Sequence, residues 1–290
     1  MFDTNALNNM PKFDTFNYWF IRKSATSFDY GLRSTFTGEA PVIEGTFNSD
    51  EWMNYPKEVQ DDFKQFTNRP EFCVGDKVIL NTAGATSNNQ ETMINAFETL
   101  IVGAIFIRAL RSKHDPDRAF SIATRFLDWI RSTDFYSCPG STRFHDAEPS
   151  GLLFHTLNVY NNMVELRKIN KFSEVDYTSI AIVSLCHDLT KIGNYESYTR
   201  NVKNEHTGEW EKVPSYKWKC NPFPFGHGVA SMYIVTQFFQ LSLDEMLGIR
   251  WHMGEYRVAA QEVGELEDAS ETYPIVRMVQ FADQLACAKY

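Results

Sequence analysis

The chain has 290 residues, a formal net charge of −9 and a pI near 5.3, with 43% hydrophobic and 14% aromatic residues. That length can bury a full core, and the aromatic content excludes a disordered or collagen-like polymer. The acidic balance argues against a broad face for duplex DNA, which requires clustered Lys and Arg.

Cysteines at positions 73, 138, 186, 220 and 287 are odd in number and widely spaced, with no CxxC pair. Neither a disulfide framework nor a structural zinc site is indicated, and a reducing compartment fits. The opening MFDTNALNNMPKFDTF has neither the basic start nor the apolar run of a signal peptide. The expectation is a cytoplasmic protein with no membrane association.

Residues 1–88 are rich in Asn, Thr, Phe and Gly, and the runs at 41–47 and 73–81 read as strands. No long helix is expected there. The small polar segment NTAGATSNN, residues 81–89, favours turns and places a boundary near 88. Residues 1–88 are therefore read as an N-terminal extension of unassigned role containing short strands, and residues 89–290 as a helical domain. Ile94, Phe97, Ile101, Ala104, Ile105 and Leu110 recur at helical spacing, while Asn95, Glu98, Thr99 and Arg108 make the run too polar for a membrane span. A buried core helix is predicted.

A second helix starts at Pro116 under an Asp115 cap and runs to about 131. After the loop STDFYSCPGSTRFHDAEPSG, helices are expected at 151–168, 176–191, 227–239, 243–252 and 274–288. Between 195 and 220, alternating residues around His206-Thr207-Gly208 predict a β-hairpin inserted between helices. The fold class is mainly α.

His-Asp occurs at 114–115, 145–146 and 187–188, so the dipeptide alone identifies nothing. The first pair sits in the charged stretch RSKHDPDR as a helix start. His187-Asp188, by contrast, ends the apolar run 180–186, where an imidazole and a carboxylate cost several kcal/mol to bury unless paired or metal-bound. His155 in GLLFHTLNVY and Asp283 in IVRMVQFADQLACA interrupt two further apolar helices. His227 opens a helix and His252 closes one. Imidazole with carboxylate and without thiolate suits Mn, Fe, Ni or Zn, with Mg as a further candidate.

In the segments GLLFHT, SLCHDLTKIG, GHGVA and ADQLA, this order of residues resembles the HD superfamily of metal-dependent phosphohydrolases over residues 135–290. PGSTRFHDAEPSGLLFHT is similar to the opening segment of phage and bacterial HD hydrolases and of the HD domain of a 3'-to-5' exoribonuclease group. The resemblance implies an HD-type helical bundle in which His155, His187, Asp188 and Asp283 hold one divalent metal. It also implies that His227 and His252, with Asp188 bridging, hold a second.

The implied reaction is hydrolysis of a phosphoester in a nucleotide, a cyclic nucleotide or a short single-stranded nucleic acid by metal-activated water. Lys191, three residues after Asp188 on a helix expected to continue, is placed as a catalytic group touching a phosphoryl oxygen. Arg143 and His145 are candidates for substrate phosphate, and Trp218, Lys219 and Trp251 for a base-stacking surface. Two other readings share the ligand order: an HD-type mixed-valence di-iron oxygenase, and a non-catalytic module that binds a nucleotide or partner.

Overall fold

In the computed structural model, residues 18–22, 27–32, 45–48, 54–66, 73–78, 80, 87–143, 146–204, 207–219, 223–256 and 258–288 are described. His145, His206 and Cys220 lie outside them, as do residues 41–44 and 81–86.

The described part is mainly helical. An antiparallel sheet of β1 (Tyr18–Arg22), β2 (Ser27–Leu32) and β3 (Gly45–Asn48) comes first, in that spatial order, followed by α1 (Lys57–Phe66). The expected strand at 41–47 thus appears as β3, from residue 45. Two features differ from expectation. A ten-residue helix, α1, does form in this region; Val59, Phe63 and Phe66 stand at i, i+4 and i+7, and Glu58 lies in the first turn.

The described residues of the run 73–81, by contrast, are a helical residue at Cys73 followed by turn and coil rather than strand. Their backbone groups are met by side chains. Gly75 N–H donates to the Tyr160 hydroxyl at 2.8 Å, and the Asn161 amide both accepts from Val78 N–H and donates to Val78 C=O, each at 2.8 Å. One asparagine supplies the two hydrogen bonds that a neighbouring strand would have made.

The helical body contains α2 (Ser87–Arg111), α3 (Pro116–Arg131), α4 (Gly151–Leu166), α5 (Tyr177–Cys186), α6 (His227–Thr236), α7 (Leu243–Trp251), α8 (Val263–Thr272) and α9 (Pro274–Cys287). Asp115 caps α3 as predicted, accepting from Arg118 N–H at 2.9 Å. α2 begins within the expected 81–89 loop. Among the described residues it is the one helix long and apolar enough to cross a membrane, over Asn89–Arg111, and most of that stretch is buried inside the bundle.

α5 is buried on every side from Thr178 to Cys186, the pattern of a helix at the centre of a bundle. It packs against α2, α4 and α7, while α9 packs against α4 and α7. Three buried or half-buried pairs tie these helices together: Glu98 with Arg131, Arg111 with Asp176, and Arg108 with Glu245.

The inserted hairpin forms where expected, as β4 (Tyr195–Lys203) and β5 (Trp210–Trp218), in register from Tyr195 opposite Trp218 to Lys203 opposite Trp210. Only its base joins the body; most of its residues are exposed. α8 was not anticipated, because VGELEDASET buries only Leu266, Ala269 and Ser270 and so carries a thin apolar stripe.

Candidate metal centre

All six proposed ligands converge where α4, the end of α5, the start of α6, the end of α7 and α9 meet. The predicted helix 176–191 does not run through: α5 stops at Cys186, Asp188 leaves helical geometry at φ −110° and ψ 16°, and Leu189–Lys191 form a 3-10 turn. This break turns the two adjacent side chains of His187 and Asp188 into one site. Lys191 consequently meets Asp188 across a tight turn rather than along a continuing α-helix.

Asp188 sits between two sets of imidazoles. Its Oδ2 lies 3.3 Å from His187 Nε2 and 3.6 Å from His155 Nε2. Its Oδ1 lies 2.6 Å from His227 Nε2 and 3.6 Å from His252 Nε2. His155 Nε2 is also 3.4 Å from His187 Nε2 and 3.1 Å from Asp283 Oδ1, which brings Asp283 into the first set. Within the group His155, His187 and Asp188, and within the group Asp188, His227 and His252, the potential ligand atoms all lie within 4.8 Å of one another.

The donor set fits a cation. His187 Nδ1–H donates to Ser184 C=O at 2.7 Å, and His252 Nδ1–H to Ile249 C=O at 2.8 Å, so both rings present a lone pair on Nε2 to the interior. His252 Nε2 is buried and has no hydrogen-bond partner among the described residues. A buried imidazole nitrogen left this way is costly, and a metal ion satisfies it. His187, His155, Asp188 and His252 are at most 4% exposed.

Electrostatics keep the carboxylates ready. Burial by itself would raise the Asp188 carboxyl, but Lys191, His187 and His227 outweigh it and hold it well below the usual range. Asp283 is likewise held low, burial being overcome by the hydrogen bond from His155 and the nearby imidazoles. His187 is raised, the pull of Asp188 exceeding the effect of burial, whereas burial lowers His227. Cys287 also lies near His155 and Asp283, but burial and the Asp283 charge push its thiol up to about 12, which keeps it protonated.

Lys191 is buried, with its Nζ 2.6 Å from Asp188 Oδ2 and donating to Gly140 C=O at 2.6 Å. Burial would depress this ammonium; Asp188 more than compensates and keeps it charged. Arg143 is exposed on the loop before α4.

Asp146, which the repeated His-Asp dipeptide does not distinguish, stands behind His155 with its Oδ2 3.8 Å from His155 Nδ1. It adopts a left-handed φ of 47°, and a Cβ on Gly151 would fall 1.9 Å from its carbonyl oxygen. The glycine opening α4 therefore admits the Asp146 backbone. Its adjacency to GLLFHT was the signal that could have singled it out.

Beside His227 lies a cavity of about 420 Å³ whose walls include Trp218, Phe225, Trp251 and Tyr256. Trp251 is nearly buried beneath the Arg250 guanidinium, 4.2 Å from its ring centre, while Trp218, Phe225 and Tyr256 are exposed. Lys219 is turned away toward Gly193 and Asn194. No family model, no curated protein and no solved structure matches the chain.

Proposed function

We propose that this chain is a metal-dependent phosphohydrolase of the HD type, using two divalent ions to cleave a phosphoester of a nucleotide, a cyclic nucleotide or a short single-stranded nucleic acid. The observation that carries the reading is the position of Asp188, with one oxygen toward His155 and His187 and the other toward His227 and His252. A buried carboxylate divided between two imidazole sets is what a bridging ligand requires. Mn, Fe, Ni and Zn suit the donors, with Mg as a further candidate.

Ions bound there would lower the pKa of a coordinated water toward neutrality and offset charge on phosphoryl oxygens. The protein supplies the rest. Ser184 and Ile249 carbonyls fix two imidazole rings, and Lys191 holds Asp188 ionised. With two of its three N–H groups directed to Asp188 and Gly140, Lys191 retains one donor for a phosphoryl oxygen. The exposed rings of Trp218, Phe225 and Tyr256 beside His227 favour a substrate carrying a base, since stacking is worth about 1–3 kcal/mol per base.

The test is product release from nucleotides, cyclic nucleotides, dinucleotides and short RNA by protein reloaded with each cation. Turnover that EDTA abolishes, and that Asp188→Ala lacks, is expected. Oxygen uptake by iron-loaded protein without phosphoester cleavage would replace this reading by an oxygenase. Bound metal with neither activity would replace it by a binding module.

A further inference from the structure

A second cavity, of about 600 Å³, lies between the end of α2, the face of α3 and the α6–α7 connection. It is far from the metal centre. α6 and α7 each carry a metal-ligand candidate at one end and reach the lining of this cavity toward the other. α6 runs from His227 to Thr236 at the cavity rim, and α7 from Met246 at the cavity wall to His252 just beyond its end. About ten helical residues at 1.5 Å each separate the two places by roughly 15 Å.

The lining carries a charge opposite to that of the chain. Arg108, His114, Arg118 and Arg125 all contribute to it, and no carboxylate does, in a protein of net charge −9. The side chains of His114 and Arg118 make no hydrogen bond or ion pair with any described residue. Arg125 donates to the Phe238 carbonyl at 2.7 Å and meets no acid among the described residues. Asp115, next to this group in sequence, directs its carboxylate to its own helix at Arg118 N–H. Arg108 pairs with the buried Glu245, yet its Nε is buried with no partner of its own.

Two guanidinium groups, Arg118 and Arg125, without carboxylate partners among the described residues, around a concavity of small-molecule size, are the elements of phosphate recognition. Ile122 and Met246 add apolar wall. We infer that this cavity binds a small phosphate-bearing molecule with an apolar or planar body, of the size of a nucleoside polyphosphate. This site is separate from the metal centre and does not depend on it.

Calorimetric titration of the full-length chain in EDTA, with adenosine triphosphate, inorganic pyrophosphate and adenosine as probes, tests the inference. One equivalent of the triphosphate is expected to bind, more tightly than pyrophosphate or adenosine, and more weakly as salt rises. Arg118→Glu with Arg125→Glu should weaken it at least tenfold. Arg118→Ala alone, at an exposed position that cannot compromise folding, should weaken it about threefold. His227→Ala should leave it unchanged. Absence of triphosphate binding, or binding indifferent to both arginine variants, would overturn the site without touching the reading of the metal centre.

Discussion

Asp188 and Lys191 form a buried ion pair as well as belonging to the candidate centre, so the consequences of changing one are double. Removing the carboxylate leaves an ammonium buried with only a carbonyl for company. Asp188→Asn is expected to lose metal binding and also about 3–5 kcal/mol of stability in the metal-free protein. Adding Lys191→Met should restore most of that stability in chemical denaturation while metal binding stays lost. If the double variant is no more stable than the single one, the pair is not what holds the turn.

Protonation adds a signature in pH. The raised pKa of His187 contributes stability that is fully present below its ordinary 6.5 and is lost as pH rises through the folded value. The lowered Asp188 and Asp283 contribute stability that is present above the ordinary 3.8 and is lost only as pH falls through their folded values. Metal-free protein should therefore soften above about pH 6.5, while cation affinity climbs over the same range as imidazolium gives up its proton. Melting temperatures and cation titrations across pH 5.5–8.5 check both slopes.

Among the helices, close approach is set by glycine. A Cβ on Gly228 would fall 2.1 Å from the Arg250 carbonyl oxygen, so this glycine lets the start of α6 seat against the end of α7 and brings His227 to His252. Gly228→Ala should cost about 1–3 kcal/mol and release the second ion first. Gly264, in α8, meets nothing within 4 Å, and Gly264→Ala should stabilise by up to about 1 kcal/mol without affecting metal. Paired thermal melts and metal counts distinguish the two.

The same scale shows what was readable in advance. Polar side chains inside apolar helices stand out, and alternation around a Thr-Gly turn marked the hairpin. The end of α5 did not stand out, because the break at Asp188 is made by tertiary contacts, including Thr190 N–H to the Ser231 hydroxyl at 3.1 Å. Nor did the turn and coil at residues 74–78, where Gly75 and Val78 find backbone partners in α4 more than 80 positions away.

At the scale of the whole molecule, the described helices form a bundle whose central helix, α5, ends at a buried cluster of imidazoles and carboxylates. Composition and helical spacing were enough to anticipate that arrangement. They were not enough to anticipate Asp146 behind His155, or the basic cavity toward the far ends of α6 and α7, since both depend on loops and on residues brought together from separate helices. The hairpin's exposed body should be dispensable for folding: replacing residues 197–216 with a short linker should leave the melting temperature within a few degrees, as Ser215 is the only buried member among its described residues.

The central claim is a two-ion centre bridged by Asp188. Its most direct test is the number of Mn²⁺ ions bound per chain, measured by elemental analysis after equilibrium dialysis of the wild-type protein, the His227→Ala/His252→Ala variant and the Asp188→Asn variant. Two ions, one ion and none are the predicted values. A wild-type chain that binds no ion, or an Asp188→Asn chain that still binds two, would contradict the account.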